Sequence, residues 1–266
     1  MRLLPASWLA VWMQVCLGLL LSLQLAAVSQ PQLPEPQIHP LPATLAQWTA
    51  PDGSALGDYF DAVQPTELGY LVWSKLPVQV YIQAAEADAQ SQAWYAAVTQ
   101  ALQDWTVYLP LALATDPETA DIQVLQTAPP IQLPAPSSVP GADPIAQLPR
   151  IRSAETRYEF FQRRQADSVE LFQRFTIQLS PSQTANYMLA TARHELGHAL
   201  GIWGHSPQPT DALYFSQVSQ PAAISARDIR TLKRIYQQPT RLGWRMPTQA
   251  VVKTVPKSAT MNIATT

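Results

Sequence analysis

The chain has one cysteine in 266 residues, four histidines, nine glycines and only 14 % charged residues. A single Cys16 forms no internal disulfide and cannot supply a cysteine-ligated zinc module, so any metal must be held by His, Asp or Glu. Seventeen Lys and Arg against nineteen Asp and Glu give a net charge of -2, with no positive field for a polyanion. This excludes nucleic acid as a partner. The length suits one core with appendages rather than several domains. Proline, at 25, is plentiful, and the residues of 30–42 (QPQLPEPQIHPLP) read as an extended spacer without helix or central strand.

Before Glu35 the only charged residue is Arg2, and 8–23 is almost wholly apolar, followed by small and polar residues to Gln30. That is the layout of a secretory signal; a retained membrane anchor is the alternative, because 3–28 is long enough to span a bilayer. In either case the remainder is expected to be exported, as a secreted, periplasmic or membrane-anchored protein facing away from the cytoplasm. The expected organisation is a signal peptide or anchor at 1–29, a Pro-rich linker at 30–66, a catalytic domain at 67–240 and a tail at 241–266 without periodicity.

Within the domain, 77–82 (PVQVYI) alternates as a strand, and 87–109 carries Trp94, Ala97, Val98, Ala101, Leu102 and Trp105 at helical spacing. Further strands are expected at 120–126, around 157–161 and at 169–179. A proline-dense loop over 127–149 separates them, and helices are expected at 184–200 and 225–236. The last opens with Ser225 and Asp228 in the spacing of a capping box.

Three of the four histidines, His194, His198 and His205, fall within one short segment that reads HELGHALGIWGH. On a helix, residues i and i+4 lie one above the other, so His194 and His198 direct two imidazoles at one ion. Glu195 stands one step around, near enough to take a proton from a zinc-activated water without occupying a coordination place. A chance HExxH is expected in roughly two of a thousand sequences of this composition. Gly201, three residues after His198, provides a residue at ease with positive φ, where a helix stops and the chain turns back. Four residues then bring His205 to the metal, a span that exceeds about 12 Å when extended at ~3.3 Å per residue. Gly204 is expected to absorb the surplus residue as a bulge, with Trp203 turned onto the core. Asp211 is the rival third ligand.

The segment resembles the zinc-binding consensus of the metzincin metalloproteases, H-E-x-x-H-x-x-G-x-x-H, and within that clan is most similar to the matrixins, whose helices commonly read HELGHALG. The likeness runs over about 71–236. It implies an α+β fold, a twisted mixed sheet of four to five strands with three helices, and a cleft between a large upper and a small lower part. It also implies one catalytic Zn2+ on His194, His198 and His205, with Glu195 as general base acting on a protein or peptide substrate. The chain departs from the family in three places. Three residues rather than two separate Gly201 from the third histidine. No methionine lies in 211–216, where Leu213 matches by hydrophobicity and Tyr214 by local pattern. A cysteine-bearing pro-segment and the histidines of the family's structural zinc site are both lacking. No acidic loop of clear spacing marks a calcium site, and calcium stays open. A catalytically inactive metzincin-like binding module displayed on the membrane is the competing expectation, and an amidase or a processing peptidase for small peptides is a third.

Overall fold

The computed structural model describes residues 33–50, 57–131, 152–165, 168–216, 218, 220, 222–247 and 259–262. The signal or anchor at 1–29 and most of the proline-dense loop lie outside them. No helix among the described residues is long and apolar enough to cross a membrane.

The fold is mixed α and β. Seven strands of the described residues form one sheet: β1 (Val78–Ile82), β2 (Leu111–Leu113), β3 (Ile122–Leu125), β4 (Ala154–Gln165), β5 (Ser168–Leu179), β6 (Arg245–Pro247) and β7 (Ala259–Asn262). The order is β2-β1-β3-β5-β4-β7, with β6 also on β5. β1 pairs in parallel with β2 and β3, and β3 in parallel with β5, whereas β4 runs antiparallel to β5 along its whole length. Among the described residues four α-helices accompany the sheet: α1 (Ala43–Gln47), α2 (Ala89–Thr106), α3 (Ala185–Ala199) and α4 (Ala226–Ile235).

The strand and helix counts exceed the four to five strands and three helices expected. β2, β6 and β7 are three or four residues long and α1 five, too short to carry a readable period. Their formation is decided by tertiary pairing. β6 and β7 come from the tail and add to β5 and β4. Residues 33–48, expected as linker, also lie against the domain: Leu45 is fully buried and Gln37 and Thr240 exchange backbone hydrogen bonds of 2.9 Å.

The longer elements follow their sequence patterns. In β1 the buried Val78, Val80 and Ile82 alternate with half-buried Gln79 and Tyr81. Asp88 caps α2 by accepting from the N–H groups of Gln90 and Ser91. The apolar stripe of α2 is buried, and its two tryptophans double as anchors. Trp94 Nε1 donates to the Leu179 carbonyl at the end of β5 (3.0 Å), and Trp105 Nε1 to the Arg193 carbonyl in α3 (2.8 Å). Each such side chain taken wholly out of water contributes roughly 1.5–3 kcal/mol or more. The consequence for the site is rigidity: α3 is held between α2 on one side and β4 and β5 on the other.

Candidate metal centre

α3 carries His194, Glu195 and His198, all three essentially buried. The helix ends in a Schellman turn: Gly201 N–H donates to the His198 carbonyl (3.0 Å) and Ile202 N–H to the Gly197 carbonyl (3.1 Å). Gly201 has φ of +124°, as its place after the histidines requires. Other last-turn carbonyls are taken by side chains, Ala199 by Trp73 Nε1 (2.9 Å) and Leu200 by Tyr236 OH (3.1 Å).

Beyond the stop, two successive three-residue turns, Trp203 N–H to Gly201 O and Gly204 N–H to Ile202 O, take up the additional residue. Trp203 is 6 % exposed and packs against Tyr158 and Phe175, on the core as expected. Gly204 acts differently from the expectation. It is not among the positive-φ glycines; a Cβ there would lie 2.2 Å from the Ala62 carbonyl oxygen. Its role is close backbone approach, not an unusual dihedral.

The turn brings His205 to the helix. Its ring centroid lies 5.2 Å from that of His194 and 4.9 Å from that of His198, and one nitrogen from each of the three rings lies within 4.8 Å of the others. The three histidines are therefore close enough to bind a metal ion. Asp211 is directed elsewhere: its carboxylate accepts from Ser206 Oγ (2.5 Å), Ser225 Oγ (2.7 Å) and Arg227 Nε (3.0 Å). His39, the fourth histidine, stacks on Trp244 and bonds the Leu242 carbonyl.

Hydrogen bonding fixes the tautomers. His194 Nδ1 lies 2.8 Å from the Ala212 carbonyl and His198 Nδ1 2.7 Å from the Ile202 carbonyl. A carbonyl only accepts, so both Nδ1 atoms carry the proton and both Nε2 atoms present lone pairs. Those Nε2 atoms are 2.9 Å apart. Two lone pairs at that distance repel unless a proton or cation lies between them. His205 Nε2 is buried with no hydrogen-bond partner. Burial pushes the His194 pKa down to about 3 and that of His205 to about 4, and His198 goes well below its ordinary value; the imidazoles also disfavour charge on one another. Three neutral nitrogen donors converging in a largely buried site fit a borderline-soft divalent cation such as Zn2+.

Glu195 is fully buried. Its Oε2 accepts from Thr156 Oγ1 of β4 at 2.5 Å, while Oε1 has no partner. Burial raises its pKa to about 8; the Thr156 bond opposes this and the nearby Glu155 adds to it. Thr156 escaped the sequence reading, although a threonine on the inward face between Ala154 and Tyr158 is a signal that a strand pattern contains. A long-range hub supports the turn that holds His194. The Asp228 carboxylate accepts from Ala212 N–H (2.9 Å), Ser225 N–H (2.7 Å) and Tyr59 OH (2.5 Å), and so fixes the turn whose carbonyl holds His194. In the sequence Asp228 showed only its capping-box role, which is present.

Leu213, where a methionine was sought, is wholly buried beneath the helix: a Cβ on Gly197 would come within 2.7 Å of its Cδ2. Beside the histidines a cleft with an empty volume of ≈ 390 Å³ is lined by Tyr187, Thr191, His194, Ala212, Tyr214 and Val218. Phe215 next to it is half exposed and packs at a tilt against Tyr214, with ring centroids 4.5 Å apart. No protein-family model and no curated protein matches the chain.

Proposed function

We propose that the protein is an exported zinc-dependent endopeptidase, in keeping with the resemblance of 194–205 to the metzincin consensus, with His194, His198 and His205 as the zinc ligands and Glu195 as general base. The observation that carries this reading is the pairing of two Nδ1–H···O=C clamps with a buried carboxylate that has one oxygen free. When bound, the zinc supplies Lewis acidity toward a substrate carbonyl and lowers the pKa of water toward about 7.

The chain's own residues do the rest. The Ala212 and Ile202 carbonyls hold the rings of His194 and His198 in orientation. Thr156 anchors one oxygen of Glu195 and leaves the other to accept the proton of the attacking water and return it to the leaving amine. With a dication held by His194, His198 and His205, the Glu195 carboxyl would be favoured in its ionised form and would serve as the base. The cleft beside His194 provides space for a substrate side chain next to the scissile bond.

The replacement of methionine by Leu213 motivates a second reading, a catalytically silent module that binds metal without hydrolysis. Glu195 argues against it, since a buried carboxylate with one oxygen unpaired raises the cost of folding and serves no purpose where no proton moves. Digestion of a peptide library by metal-replete and chelated protein decides between them. Cleavage lost on chelation and regained with zinc is expected; no cleavage by protein carrying one zinc would sink the peptidase reading.

A further inference from the structure

The metal centre has a neighbour from the far end of the chain. β7 lies antiparallel on the outer edge of β4, pairing Asn262 with Glu155, Met261 with Thr156, Thr260 with Arg157 and Ala259 with Tyr158. That stretch of β4 serves the site: Thr156 Oγ1 donates to Glu195 Oε2 at 2.5 Å. On its other side Thr156 pairs with Ile177 of β5, so among the described residues β7 alone covers this edge.

Directly paired residues point to the same face of a sheet, with Cβ atoms ~4.5–5.5 Å apart. Met261 therefore projects on the side of Thr156, toward α3, and it is half-buried against the core, whereas Thr260 is exposed. An apolar side chain thus stands beside the Thr156–Glu195 pair.

Glu195 itself is fully buried, and its Oε1 has no partner. A general base must come within roughly 2.6–3.2 Å of the water it deprotonates. Some element that encloses it must withdraw before water and a peptide bond arrive. β5 is joined to β4 by twelve residue pairs and α2 is anchored through Trp94 and Trp105, whereas β7 is joined by four pairs at the margin of the sheet. β7 is the element whose departure costs least.

That departure uncovers a strand edge, and an open edge takes an extended peptide by backbone hydrogen bonds. We propose that β7 is an inhibitory strand: the chain's own C-terminal segment holds the edge of β4 on which an extended substrate must pair to reach Glu195, and the two compete. The proposal rests on the hydrolase reading. Residues 248–258 tether β7 to β6, and a short tether supplies an effective concentration in roughly the millimolar range. A strand with a Kd of ~0.1–1 mM then stays bound at least half of the time and slows a competing substrate by about two- to tenfold.

The test compares the full zinc-loaded chain as wild type, Met261→Pro and Met261→Asp, with Thr260→Ser as control. Proline cannot donate to the ladder, and aspartate brings a charge to a half-buried place, so each loosens β7. Two readouts are taken: kcat/KM on a quenched-fluorescence peptide library, and anisotropy of a labelled synthetic peptide of residues 257–264. A rise of about two- to tenfold in kcat/KM is expected for both Met261 variants and none for Thr260→Ser, with the labelled peptide binding the Met261 variants more tightly by a similar factor. Excess unlabelled peptide should return those variants to the wild-type rate. Equal rates in wild type and both Met261 variants would overturn the proposal and leave the hydrolase reading intact. Cleavage by none of the four, each holding one zinc, would instead sink the hydrolase reading. The labelled peptide then decides the occupancy of the edge: tighter binding to the Met261 variants sustains it, and equal binding to all four overturns it.

Discussion

The glycine that stops the histidine-bearing helix offers a perturbation whose size follows from its surroundings. At φ +124°, Gly201 occupies backbone space in which an L-residue is strained, and a Cβ there would lie 2.4 Å from the Leu71 carbonyl oxygen. That oxygen belongs to buried backbone and has nowhere to go. Strain of ~1–2 kcal/mol from the dihedral and ~1–3 kcal/mol from overpacking give a loss of about 2–5 kcal/mol for Gly201→Ala. For a chain of this size that is a fall in Tm of roughly 4–20 °C. Gly197→Ala is the control on the same helix. Its Cβ would meet the Leu213 Cδ2 at 2.7 Å and the Trp105 Cζ2 at 3.0 Å, both side-chain atoms, and φ is not positive. Alanine also recovers up to ~1 kcal/mol of helix propensity there, so the net loss should stay near 1 kcal/mol. Thermal melts and urea denaturation of both variants, with zinc counted after dialysis, read the difference. Gly201→Ala should be the less stable and should hold less than one zinc, because the turn it makes carries His205. A melting temperature for Gly201→Ala within about 2 °C of wild type, or above that of Gly197→Ala, would refute the argument.

The remaining predictions concern chemistry and pH. Glu195→Gln should retain the zinc and lose peptide hydrolysis by several orders of magnitude; activity close to wild type would remove Glu195 from the mechanism. His205→Ala should weaken zinc affinity by orders of magnitude, whereas Asp211→Ala should lower the melting temperature, through lost bonds to Ser206, Ser225 and Arg227, without a comparable effect on zinc. Protein lacking residues 1–29 should cleave without treatment by a thiol reagent or oxidant, and a requirement for either would contradict the absence of a second cysteine. Burial raises the Asp228 pKa, so its contribution to stability is complete below about pH 3.9 and is lost as pH rises through the folded value. The Tyr59 bond opposes that loss, and Tyr59→Phe should cost ~1–3 kcal/mol in urea denaturation, more at pH 8 than at pH 4; equal costs at the two values would exclude this linkage.

Legibility in the sequence followed the reach of each interaction. The i, i+4 spacing of His194 and His198, the stop at Gly201 and the stripe of α2 are local, and each has its expected place in the structure. The third histidine was harder. An inserted residue changes the path of the chain, and the packing of Trp203 against Tyr158 and Phe175, together with the close approach of Gly204 to Ala62, sets where His205 goes. The short strands β2, β6 and β7 are sustained by partners rather than by pattern, and pairing of β6 with β5 joins residues far apart in sequence. No composition or period reports that.

The supporting shell of the histidines was illegible for a related reason: its working groups are backbone carbonyls and polar side chains brought in from distant segments. Ala212 contributes only its carbonyl to His194, so its side chain carries no signal at all. What fixes that carbonyl is the N–H on the same residue, bonded to Asp228 of α4, which is in turn bonded to Tyr59 from the segment before β1. Three segments, one of them more than a hundred residues from the other two, thus hold one imidazole. The arrangement ties the orientation of His194 to the docking of residues ahead of the sheet as well as to α3. A change at Tyr59 should therefore reach the metal ligands through the turn at Ala212, although the phenol itself touches none of them.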